Sequence, residues 1–267
     1  MQLKKLLFIT LFSLFAIQYT AAQFDGIYSQ YMHIKHFYNP AAVGEQDLMK
    51  IMVAQRLDWI GIKNAPKTTL FTVNTPFKIG KTHHAAGIQF ISDVFGIFAN
   101  QQINAQYAYK FNFDYGTLSI GANIGVLNLI CYGDSAKIVE SDYHTPANND
   151  PAIPIGTQSG AGFDLSAGIY FSNTTWFAGL SILHAPGANI KLGDKYDFKI
   201  KQAITAVGGY NIKMNNPNYQ LKPSALFYTD LTSWQAQISL LLDYKNKFWG
   251  GLAYSIQDAV SFSFGAE

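Results

Sequence analysis

Six histidines and one cysteine are the side chains of this 267-residue sequence that most readily do chemistry near neutral pH. His33 and His36 lie three apart, His83 and His84 are adjacent, and His144 and His184 stand alone. A metal centre needs several such ligands at short spacing, and no cysteine or carboxylate cluster accompanies these histidines in the sequence. Ser29 lies close to His33 and His36 and supplies a hydroxyl. Neither a third orienting group nor a nucleophile elbow surrounds it. Cys131 has no second cysteine with which to form a disulfide. The sequence thus yields no catalytic, metal-binding or cofactor-binding residue. With a net charge of +2 and no basic run beyond the first residues, it gives no reason to expect a nucleic-acid partner.

The ends and the composition indicate where the chain works. Lys4 and Lys5 precede an apolar run from Leu6 to Ile17, followed by the small residues Thr20, Ala21 and Ala22. That pattern predicts a signal peptide over 1–22, cleaved before Gln23, because the run falls well short of the roughly 20 residues of a spanning helix. The chain is 49% hydrophobic and 15% aromatic but only 13% charged, where soluble domains carry about a quarter charged residues. After the leader no apolar run reaches helix-spanning length, so the apolar content must be spread over many short elements.

Those elements alternate with a period of two. From Gln102 to Phe113 the even positions are Gln102, Asn104, Gln106, Ala108, Lys110 and Asn112, and the odd ones Ile103, Ala105, Tyr107, Tyr109, Phe111 and Phe113. Successive side chains of a strand point to opposite faces, so one face is mostly polar and the other apolar and aromatic. The same alternation runs through 117–126, 163–172 and 234–243. Strands are predicted near 48–59, 67–76, 84–92, 100–113, 116–130, 161–172, 175–184, 198–213, 219–229, 234–245, 247–256 and 259–266. About twelve strands, many of them long enough for a tilted bilayer crossing, predict an all-β, antiparallel transmembrane barrel over 48–267.

Loop lengths fit that reading. With the N-terminus in the periplasm, the turns at 114–116, 172–174 and 245–247 fall on the periplasmic side, and the long connections 131–160 and 185–197 fall outside. Trp176, Trp234 and Trp249 near strand ends are expected in interfacial girdles, whereas the mid-strand Tyr107 and Tyr109 fit a girdle or a core. Arg56 and Asp58 share one strand face and Trp59 takes the other, which predicts a lumenal pair beside an interfacial ring.

Residues 23–47 do not alternate, and Pro40 cannot donate to a ladder. They are expected to form a non-strand segment, either a plug in the lumen or a periplasmic contact. The segment Ser29-Gln30-Tyr31-Met32, the turn Asn39-Pro40-Ala41 with Gly44, then Arg56 to Gly61, and Ala65-Pro66-Lys67-Thr68 follow one another over about 45 residues. Together with Asp150-Pro151, Gly168-Ile169-Tyr170 and Gly179-Leu180-Ser181, they resemble the PorP/SprF family of type IX secretion outer-membrane proteins of Bacteroidetes.

The resemblance implies a fatty-acid-transporter-like barrel of about 14 strands. It also implies a role in secretion and gliding, supporting export or surface attachment of adhesins by protein binding. The partners it implies are outer-membrane lipid, periplasmic ring proteins of the machine, and a secreted adhesin with a C-terminal secretion domain. Tyr28, Gln30, Tyr31, Asn39, Pro40, Arg56, Trp59 and Pro66, drawn from these motifs, are the expected partner-binding residues. The alternatives are a passive transporter of small apolar ligands and an outer-membrane enzyme. Where the family continues through one further hairpin, this sequence stops at Phe264-Gly265-Ala266-Glu267.

Overall fold

A computed structural model describes residues 25–135, 156–193, 196–256 and 258–266. The expected leader and most of the 131–160 connection lie outside the described residues. The strands are β1 (Lys50–Leu57), β2 (Lys67–Ile79), β3 (Thr82–Phe95), β4 (Phe98–Phe113), β5 (Gly116–Tyr132) and β6 (Thr157–Ser172). They continue with β7 (Trp176–Leu183), β8 (Asn189–Leu192), β9 (Tyr196–Lys199), β10 (Ala203–Tyr210) and β11 (Ile212–Lys213). The last are β12 (Tyr219–Thr229), β13 (Trp234–Tyr244), β14 (Phe248–Ser255) and β15 (Val260–Ala266). Twelve of them follow one another in a single antiparallel path, β1-β2-β3-β4-β5-β6-β7-β10-β12-β13-β14-β15.

The two faces of this sheet are inverted relative to a soluble fold. Gln89, Gln102, Asn104, Gln106, Asn123, Ser166, Ser181, Thr205, Gln237 and Ser239 are buried, while Ile88, Ile103, Ile120, Ile124, Phe163, Ile169, Leu180, Ile238 and Leu252 are exposed. Alternation sends the two sets to opposite sides of every ladder. In water the exposed set would be costly, at about 25 cal/mol for each Å² of apolar surface left wet. Against hydrocarbon it is the matched solvent, and only closed β-structure or helices satisfy their own backbone there. No helix among the described residues is long and apolar enough to cross a membrane.

Connections fall into two classes. Residues 80–81, 114–115, 173–175, 211–218 and 245–247 link strands at one end, and 58–66, 96–97, 133–156, 184–202, 230–233 and 256–259 link them at the other. The first is the short-turn end and the second the long-loop end. Aromatic rings band the short-turn end: Phe113 on Tyr115 at 5.4 Å, Tyr115 on Phe171 at 6.1 Å and Phe171 on Trp176 at 4.7 Å. Tyr107 faces outward, where its hydroxyl meets His84 Nδ1 at 2.7 Å. Trp176 and Trp234 also stand outward at strand starts, half-exposed.

Three expectations are corrected. Trp249 is not part of a girdle: it pairs with Asp243 on the lumenal face, and its ring packs on His33 at 4.7 Å. The strand expected over 198–213 is divided, because Tyr196–Lys199 pairs with Asn189–Leu192 in a separate hairpin and Asn211 leaves the ladder to donate its N–H to Thr175 O. That hairpin sits over the lumenal face of β5, where Ile190, Leu192 and Ile200 pack on Leu127, Leu129 and Cys131. The path holds twelve strands among the described residues, the number the periodicity predicts and not the about 14 that the resemblance implies, and no ladder joins β1 to β15.

Candidate functional site

Residues 25–47 run through the space enclosed by the sheet. Three short turns shape them: a 3-10 turn over Tyr31–His33, the single-turn helix α1 (Lys35–Tyr38) and a second 3-10 turn over Pro40–Ala42. Asn39 caps that last turn, its Oδ1 accepting from Ala41 N at 3.0 Å, and Pro40 stands at the first position, where its missing N–H removes nothing. Tyr31, Tyr38, Asn39, Ala41 and Val43 are wholly buried.

Polar groups along the whole segment find partners on the wall. The Tyr31 hydroxyl donates to Ser224 Oγ at 2.8 Å and lies 3.0 Å from Ser239 Oγ, on β12 and β13. His36 meets Thr72 on β2 at 3.0 Å, and its carbonyl accepts from Gln106 on β4 at 2.9 Å. The Tyr38 carbonyl accepts from Ser181 on β7 and Thr205 on β10, at 2.6 and 2.7 Å. Asn39 Nδ2 donates to Ile169 O on β6 at 2.9 Å. Glu45 pairs with Lys35 at 2.6 Å and accepts from the Tyr170 hydroxyl on β6 at 2.6 Å. Lys50 on β1 donates to His33 O at 3.1 Å. Partners on opposite stretches of the path require the sheet to curl around the segment, so it is a plug.

Glycines make the seat. A Cβ on Gly121 of β5 would lie 2.5 Å from Ala41 Cα, and one on Gly179 of β7 would lie 2.5 Å from Asn39 Nδ2. At Gly121 backbone therefore packs on backbone, and at Gly179 it packs on the Asn39 side-chain amide, so a larger side chain at either position meets the plug. Tyr31→Phe keeps this packing and removes only the hydroxyl, so it is expected to lower stability by about 1 kcal/mol, read as a lower denaturation midpoint in detergent.

The far end of the plug carries the strongest electrostatics. His184, just beyond β7, lies between Asp25 and Asp164, with Nε2 to Asp25 Oδ2 and Nδ1 to Asp164 Oδ1 both at 2.9 Å. The Tyr228 hydroxyl adds a 3.1 Å bond to Asp25. Burial disfavours charge on His184, but the two carboxylates outweigh it and raise its pKa to about 10. Burial likewise opposes charge on Asp25, yet His184 and the Tyr228 hydroxyl hold its carboxyl below the ordinary value. A charged imidazolium thus clamps Asp25 to the wall. Ile27, two residues on, packs with Leu183, Ala203 and Tyr228, and its carbonyl accepts from Arg56 at the long-loop end of β1. Over its described residues the plug accordingly begins at the long-loop end and descends to the short-turn end.

The structure separates the expected partner-binding residues into two groups. Tyr31, Asn39 and Pro40 are buried within the plug, and half-buried Tyr28 gives its N–H to the Tyr38 hydroxyl at 2.8 Å. Gln30 borders a lumenal cavity of about 940 Å³. Arg56, near the end of β1, pairs with Asp58 at 3.0 Å; in the β1–β2 connection that follows, exposed Trp59 sits at φ 48° and the Pro66 carbonyl accepts from Asp58 N at 3.1 Å. His184, which reads as an isolated histidine in the sequence, is the residue that sequence reasoning missed. Its only sequence signal is Asp164 in a lumenal register position, and the partner Asp25 lies 159 residues away. Among the described residues, no group of three or more metal-ligating side chains is placed to hold an ion.

A polar lumen plugged by the chain's own N-terminal segment, inside a wall whose outer face is apolar, defines a membrane β-barrel. A model of the type IX secretion system membrane protein PorP/SprF family matches residues 20–267, and the chain belongs to that family. No curated protein matches it. Among solved structures, the beta domain of the Bordetella autotransporter BrkA is similar at a TM-score of 0.35 and 13% identity, covering 81% of this chain and 93% of that one.

Proposed function

We propose that this chain is an outer-membrane component of the type IX secretion and gliding machinery that works by binding proteins. In this reading it supports the export or surface attachment of adhesins bearing a C-terminal secretion domain. Family membership carries the secretion role. The occupied lumen supports binding over conduction, because the plug fills the middle and the β8–β9 hairpin covers part of the long-loop end. Short turns face the periplasm in barrels of this kind. That orientation turns the short-turn end towards the periplasmic ring proteins and the loops 131–160 and 185–197, with exposed Trp59, towards the cell surface.

Deletion of the gene is expected to leave the adhesin unexported or unattached, as read by surface proteolysis and by immunoblotting of the medium. Adhesin still displayed and attached in the deletion strain would remove this reading. A passive transporter would instead show uptake of apolar ligand by liposomes containing the purified barrel.

A further inference from the structure

The charges of the short-turn end are unevenly placed. Lys78 and Lys81 at the β2–β3 turn, Lys213 at β11, and Lys245 and Lys247 at the β13–β14 turn are all exposed. In path order these turns lie towards the two ends of the sheet, and residues of β1, β12, β13, β14 and β15 line one cavity, so the two ends share a mouth and the lysines form a basic arc around it. The turns of β4 to β7 lack lysine and carry Asp114, Tyr115 and Asn173. Exposed acids at this end, among the described residues, are Asp47 and Asp114.

Register decides what the arc can meet. Lys78 lies two and four positions from Pro76 and Asn74, on their face, and lines a lumenal cavity of about 820 Å³. Lys213 pairs with Gln220, which lines the neighbouring lumenal cavity. Lys81, Lys245 and Lys247 stand at turns, beyond the strand ends. At least two of the five therefore face the aqueous mouth, where a lipid headgroup on the outside of the wall does not reach them.

We infer that this basic arc is a docking surface for an acidic protein segment presented from the short-turn side. The inference rests on the orientation proposed above and supplies the chemistry of the partner on that side. Low-dielectric walls around the mouth concentrate the field, and such attraction weakens as salt screens it.

The test uses the whole barrel in nanodiscs of zwitterionic lipid, with a fluorescent deca-glutamate peptide as probe and deca-lysine as its counterpart. Deca-glutamate is expected to bind and deca-lysine not to bind. Affinity should fall by about tenfold between low and physiological salt. K78Q/K81Q/K213Q/K245Q/K247Q is expected to lose binding, while K63Q/K67Q/K191Q/K199Q/K201Q at the opposite end retains it. Equal binding by the first variant, or loss in the second, overturns the proposal. So does binding of wild type that appears only when anionic lipid is added. If the arc variant binds normally and gene deletion still abolishes adhesin export, the docking surface falls while the secretion role stands.

Discussion

Replacing His184 by alanine is expected to free the upper end of the plug. The change leaves Asp25 and Asp164 buried without the cation between them. Removing one partner of a buried ion pair typically destabilises by about 3–5 kcal/mol. Because the described side-chain partners of Asp25 are this clamp and Tyr228, the loss should appear as local opening before global unfolding. Amide protection over residues 25–31, followed by hydrogen exchange in detergent, is expected to drop about a hundredfold or more. Unchanged protection would show that the imidazolium does not hold the plug.

The pH dependence of the same clamp has a definite sign. The folded pKa of His184, about 10, stands above its ordinary 6.5. Its contribution is therefore fully present below about pH 6.5 and is lost as pH rises through about 10. Asp25 has a folded pKa below 3.8. Its contribution is present above that value and is lost as pH falls through the folded value. The wild-type plug is thus expected to loosen at both extremes. The H184A variant should show no loosening near pH 10, because the group that titrates there is gone.

Gly121→Val should have the second large effect. A Cβ at this position already lies 2.5 Å from Ala41 Cα and 2.6 Å from Ala41 N, backbone atoms that cannot swing aside like a side-chain tip. Overpacking of this kind costs about 1–3 kcal/mol when a core can adjust. Here the adjustment available is movement of the plug itself. Ala42, 4% exposed, reports on it. In a background with Ala42→Cys, a membrane-impermeant maleimide should label the Gly121→Val barrel about tenfold faster or more. The native Cys131, buried beneath the β8–β9 hairpin, provides an internal reference expected to stay protected. Equal labelling of Ala42→Cys with and without valine would mean that the plug does not sit against β5.

What the sequence made legible follows from the range of the interactions involved. The strands could be located because the period of two is local, and Gln102 to Phe113 carries it without interruption. The polarity of the two faces was equally local. Trp249 was misplaced because β14 offers Gly251 and Ala253 on one face and Gly250 and Leu252 on the other, so little polarity shows which way its ring points. The β8–β9 hairpin escaped notice because each of its strands has only four residues. The Asp25–His184–Asp164 clamp was illegible for a different reason. Its members come from three separate elements, and each alone is an ordinary polar residue. Asn39, Pro40 and Ala41 stood out as a motif, but the glycines that receive them, Gly121, Gly168 and Gly179, revealed their purpose only when the strands were laid side by side.

The threading of the N-terminal segment also dictates an order of construction. Tyr31 is held by Ser239, 208 residues later, and Ser29 O by Gln237, also 208 residues later. The first part of the chain to emerge therefore cannot reach its final bonds until nearly the last strands exist. Contacts of such separation make for slow folding, and a waiting segment exposes Tyr31, Ile34 and Tyr38 to misassociation. The bonds that fasten the segment to β12 and β13 are accordingly among the last the wall can supply.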